Sequence, residues 1–131
     1  MSQENVEIVT RMLASFHAGN ATDALAYFAA DVAADASARP DGMVVRGREE
    51  MSRMIGEWLA AWEDWSEQID AIRDLGDKVM VVATQRGRGR ETGIDIETQY
   101  ATVYELRDGE IAAMTLYRGP AEALEAAGLS G

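Results

Sequence analysis

KVMVVATQRGRGRETGIDIETQYATVYEL, residues 78–106, decides the fold. Arg86, Arg88 and Arg90 alternate with Gly87 and Gly89, a pattern also found in flexible RNA-binding tails. The flanks argue otherwise. KVMVVA runs straight into the repeat and IDIETQY runs back out, both rich in β-branched residues with a two-residue alternation. The stretch therefore reads as a hairpin with its turn at Glu91-Thr92, and that turn fixes the register. Arg88 faces Asp95 and Arg86 faces Glu97. Thr84–Gln99, Val82–Ala101 and Met80–Val103 continue that face. The other face pairs Gly89–Ile94, Gly87–Ile96, Gln85–Thr98, Ala83–Tyr100, Val81–Thr102 and Val79–Tyr104. The arginines gain acidic cross-strand neighbours, and the glycines let the sheet bend or leave room at its rim.

Downstream, Asp108-Gly109 is a strong two-residue hairpin turn, and EIAAMTLYR returns as the next strand. An unbroken register sets Tyr117 opposite Tyr100, Thr115 opposite Thr102 and Ala113 opposite Tyr104. One sheet face then carries Tyr100, Thr102, Tyr104, Thr115 and Tyr117. The other carries Met80, Val82, Met114 and Leu116, which need a cover, so a homodimer through the sheet is expected. PAEALEAAGL closes the chain as a short helix.

Upstream the period changes. Val6, Val9, Met12, Leu13 and Phe16 follow helical spacing before Gly19. A second, short helix is expected from Thr22 as N-cap, burying Leu25 and Phe28. ADVAADASARPDGMVV reads as two short strands around a turn at Pro40 and Gly42. In RGREEMSRMIGEWLAAWEDW the apolar positions Met51, Met54, Ile55, Trp58, Leu59 and Trp62 mark an amphipathic helix, entered through Arg46-Gly47. SEQIDAIRD then begins the strands. Helices first and antiparallel strands after them make an α+β fold.

The 131 residues suit one domain over 1–131, and 47% hydrophobic content is enough for a core. Twelve Lys+Arg against 23 Asp+Glu give a net charge of −11, which disfavours nucleic acid and anionic membrane as partners. The absence of cysteine leaves no disulfide, thiol nucleophile or thiolate metal site, and one histidine argues against a His-based zinc site. MSQENVEIV does not read as a signal peptide, and no apolar run reaches membrane-spanning length. A cytoplasmic protein without metal or cofactor is expected.

The order of these elements resembles the SnoaL-like group of the NTF2-like superfamily. The matching landmarks are ENVEIV, SFHAGN, Leu25 to Val32, Arg46-Gly47, Gly76-Asp77, the RGRGR and TGIDI strands, YATVYELRDGEI and EALEAAGL. The resemblance implies a cone, in which a curved antiparallel or mixed sheet wraps around helices and encloses a ligand pocket. Its wall would be Met12, Phe16, Tyr27, Met54, Ile55 and Trp58 from the helices, with Thr102, Tyr104, Thr115 and Tyr117 from the sheet. An isomerase-like member would use Asp35 as base and Tyr100 as donor to an enolate oxygen, although Met12 stands where a donor tyrosine is usual. A cyclase-like member would carry His-Trp-Asp where this chain has Met114, Thr115 and Leu116. An epoxide-hydrolase-like site would draw on Asp35 and Arg118. The expected ligand is a small, largely apolar molecule, cyclic compounds included. Cofactor-free acid/base catalysis and a non-catalytic binding or dimerisation module both stay open. His17 reads as a solvated or capping residue, and the acidic run at 63–70 as a solvated face.

Overall fold

The computed structural model describes residues 2–39 and 42–128. Its elements are α1 (Ser2–His17), α2 (Ala21–Leu25), β1 (Phe28–Asp35), β2 (Val44–Arg46), α3 (Arg48–Ala60), β3 (Trp62–Asp74), β4 (Lys78–Gly89), β5 (Asp95–Arg107), β6 (Glu110–Tyr117) and α4 (Pro120–Ala126). The six strands form one sheet in the order β2-β1-β6-β5-β4-β3. Only β1 and β6 pair in parallel; the other pairs are antiparallel. The α+β fold is as expected. No described helix is long and apolar enough to cross a membrane.

Three element bounds differ from the sequence reading. Asn20, not Thr22, caps α2, its side chain accepting from the Asp23 amide at 3.2 Å. Phe28 opens β1 and does not belong to a helix. α3 stops at Ala60, so Trp62 stands on a strand; the helical spacing of the apolar residues continued past the end of the helix by coincidence. The turn proposed at Pro40 lies outside the described residues. Gly47 does connect β2 to α3. Its φ of 94° favours glycine, its amide donates to Val32 O at 2.7 Å, and its carbonyl accepts from the Met51 amide.

The central hairpin has the expected register from Lys78↔Glu105 to Arg88↔Asp95. The β5–β6 register does not hold. A bulge follows Glu105, and beyond it Ala101 faces Tyr117, Thr102 faces Leu116 and Tyr104 faces Met114. One extra residue exchanges the two faces of a strand. Met114 and Leu116 therefore turn inward, while Thr115 and Tyr117 turn outward.

The concave face of the sheet holds the main core. Val9, Met12 and Leu13 of α1 meet Met51 and Met54 of α3, Val79 and Val81 of β4, Tyr104 and Ile111. The convex face has its own cluster, in which Met80, Val82, Ala101 and Val103 pack under Ala123 and Leu124 of α4. α4 is thus the cover for this apolar strip, and the strip is buried within one chain.

A candidate ligand cavity inside the cone

Two glycines of β4 make room behind the cavity's aromatic wall. Gly87 and Gly89 alternate onto the inner face of β4. A Cβ on Gly87 would meet Trp62 side-chain atoms at 3.3–3.5 Å, so the missing side chains make a seat for the indole of Trp62. Trp62 in turn stands edge-on to Trp58, with centroids 5.3 Å apart. The three arginines that alternate with these glycines hold the rim together. Arg86 and Arg88 pair with Glu97 and Asp95. Arg90 Nε donates to Ala60 O at 2.9 Å, placing a cation at the C-terminal end of α3 where the helix dipole favours it.

β3 carries a bulge between Glu63 and Ser66, with Asp64 at φ 53°. The inserted residue shifts the alternation, so Trp65 and Glu67 enter the cone and Glu67 stands across from Gln85. The cavity is about 230 Å³, lined by Met12, Phe16, Met51, Ile55, Trp58, Trp65, Thr102, Tyr104, Met114 and Leu116 among others. Its polar side chains gather around Glu67, Gln85 and Arg39.

These polar residues form a chain. The Glu67 carboxylate accepts from His17 Nε2 at 2.7 Å and from Gln85 Nε2 at 3.0 Å. Gln85 Oε1 accepts from Trp58 Nε1 at 3.3 Å. A carboxylate has no proton to give, so the histidine donates from Nε2. Four elements, α1, β3, β4 and α3, are tied to one carboxylate. Arg39, from the loop after β1, lays its guanidinium on Trp58, 4.3 Å from the ring centroid. Burial pulls the Arg39 pKa down, opposed by the charges of Tyr100 and Glu67. Burial also holds the Tyr104 phenol well above its ordinary value.

Of the residues expected in the wall, Met12, Phe16, Ile55, Trp58, Thr102 and Tyr104 are there. Tyr27 and Met54 pack in the core beside it. Thr115 and Tyr117 line a shallow groove on the opposite face of the sheet, together with Asp35, Ser37 and Arg118; the β6 bulge is the reason. Asp35 pairs with Thr115 across β1–β6, and its carboxylate accepts from the Ser37 amide and hydroxyl at 3.0 and 2.6 Å. It is therefore separated from the cavity by the sheet itself. Tyr100 is buried on the inner face, its phenol raised by burial and lowered by Arg39, but the wall is completed by Thr102 and Tyr104. Asp35 and Tyr100 are not brought together.

Arg39 and Gln85 are site residues that the sequence reading passed over; His17 and Glu67 it read as solvated, but they bond each other with the Glu67 side chain only 12% exposed. Gln85 left a signal: the hairpin register puts this polar residue on the face destined for burial. Glu67 left none, since a bulge decides which way it points. Among the described residues no three His, Asp or Glu side chains are grouped to hold a metal ion.

A curved six-stranded sheet wrapped on helices defines the class: an α+β fold of the NTF2-like type. The SnoaL-like domain model matches residues 9–114, and the chain belongs to that family. No curated protein matches it. Among solved structures it is similar to a hypothetical protein with ketosteroid isomerase-like fold from Catenulispora acidiphila, in complex with trimethylamine. The two share 27% identity over 94% of this chain and 93% of that one, with a TM-score of 0.73. An NTF2-like protein from Burkholderia thailandensis shares 23% identity over 93% and 95% of the chains at TM-score 0.78. A candidate polyketide cyclase from Xanthomonas campestris shares 23% over 88% and 90% at 0.70.

Proposed function

We propose that the protein binds a small, largely apolar molecule, cyclic compounds included, in the cavity of the cone. The observation that carries this reading is the division of the wall: aromatic, methionine and aliphatic side chains over most of its area, with charged and amide groups gathered together. The related protein in complex with trimethylamine supports a small organic ligand for the scaffold. Where the bound molecule is also turned over, the chemistry would be cofactor-free proton transfer of the isomerase, cyclase or hydratase kind, and Glu67 is the carboxylate placed for it. The second reading is a non-catalytic binding module. It is favoured by the placement of Asp35 outside the cavity and by the engagement of both Glu67 oxygens.

Native mass spectrometry of the purified chain tests the binding. The expected result is a small-molecule adduct released on denaturation and absent from Met12→Trp, which fills the cavity. A bare mass, together with no response to a panel of apolar ring compounds in ligand-observed NMR, would remove the reading.

Pairing of two copies through the outer sheet face is proposed on narrower ground. With α4 over the apolar strip, a partner copy would meet the alternating charges of Arg86, Glu97, Arg88 and Asp95, a pattern that can complement itself under a two-fold axis.

A further inference from the structure

The cavity's two charged side chains are in different situations. Glu67 has one oxygen on His17 and the other on Gln85. Arg39 has no carboxylate within ion-pair distance among the described residues, and its Nε is buried without a hydrogen-bond partner. It rests on the face of Trp58. Arg39 is half-buried, and a partly desolvated cation whose close contact is an aromatic face gains from an anion. A second donor in the same wall, Trp65 Nε1, is also buried without an acceptor among the described residues.

We propose that the ligand is a planar ring compound carrying an anionic oxygen, with the ring against the tryptophans and the oxygen received by Arg39. The proposal rests on the cavity being a ligand site. Guanidinium is the suitable group because its fork of N–H donors matches an oxyanion in geometry as well as charge. Its place is fixed from behind. The chain His17–Glu67–Gln85–Trp58 holds the indole by its N–H and leaves its face for Arg39. Arg39 already occupies that aromatic face, so an organic cation would meet a like charge there. The ring itself finds Phe16 edge-on to Trp65 at 6.2 Å, with Met12 and Ile55 in the wall.

Isothermal titration calorimetry on the full chain with three probes of one shape separates the possibilities: 2-naphthoate, 2-naphthylmethanol and 2-naphthylmethylammonium. Naphthoate is expected to bind at least about tenfold more tightly than the neutral alcohol. Arg39→Met is expected to abolish that margin. Equal affinity for naphthoate and alcohol, or a preference for the ammonium probe, would overturn the proposal while leaving ring binding in place. No heat with any probe would overturn both. The comparison on the unaltered chain decides the ligand class even where Arg39→Met does not fold.

Discussion

Asp70 shows how one side chain can organise a sheet surface. It stands at a second bulge of β3, between Ile69 and Ala71. Its Oδ2 accepts from Thr84 Oγ1 at 2.6 Å and from Gln99 Nε2 at 3.2 Å, and its Oδ1 from Gln68 Nε2 at 2.8 Å. The Thr84 and Gln99 bonds, in that order, hold its carboxyl below the usual aspartate range. A lowered carboxylate pKa contributes stability that is complete above the unfolded value, about pH 4, and is lost as pH falls through the folded one. The melting temperature of the unaltered chain should therefore exceed that of Asp70→Asn at neutral pH, and the gap should close on acidification. Comparing the two chains cancels most of the effect of a net charge of −11. A gap independent of pH would show that the hydrogen bonds do not depend on the charge. Thr84 and Gln99 were legible as facing residues from the hairpin register, but Asp70 was not. Its partners come from two strands across a bulge that leaves no mark in composition.

The elements that were readable are those with long, unbroken periodicity. α1, α3 and the β4–β5 hairpin follow from their residues because one period runs through each and one turn sets the register. The elements misread are those where an extra residue resets the period: β3 at Asp64, and β6 after the Asp108-Gly109 turn. Most of the candidate site depends on those resets. Without the β6 bulge Thr115 and Tyr117 would face the cavity; with it Met114 and Leu116 do, and the wall is more apolar than expected. The cover of the convex face was also missed: it was assigned to a partner subunit, and the seven residues of α4 supply it. Leu124 is 6% exposed there and Ala123 is fully buried. Leu124→Ala is expected to lower stability by about 2–5 kcal/mol, read from urea unfolding, and to increase binding of a hydrophobic dye as Met80 and Val82 open. A variant with unchanged midpoint would mean that α4 is not the cover.

At the scale of the whole molecule, α4 takes the apolar strip of the outer face, and the charge ladder is the part of that face proposed for another copy. A pair formed there would be electrostatic, so light scattering at micromolar concentration should give twice the chain mass at low ionic strength and move toward one chain as salt screens the contact. A single-chain mass under all conditions would refute the pairing. The clustering of Trp58, Trp62 and Trp65 has a separate consequence. They are all the tryptophans the chain has; two line the cavity and the third stands edge-on to one of them at 5.3 Å. Indoles that close share their excited states, and no tryptophan elsewhere dilutes the signal. The tryptophan emission and the indole part of the near-ultraviolet circular dichroism of the unlabelled chain thus come from the cavity region, and a guest that displaces Trp58 or quenches Trp65 announces itself in both.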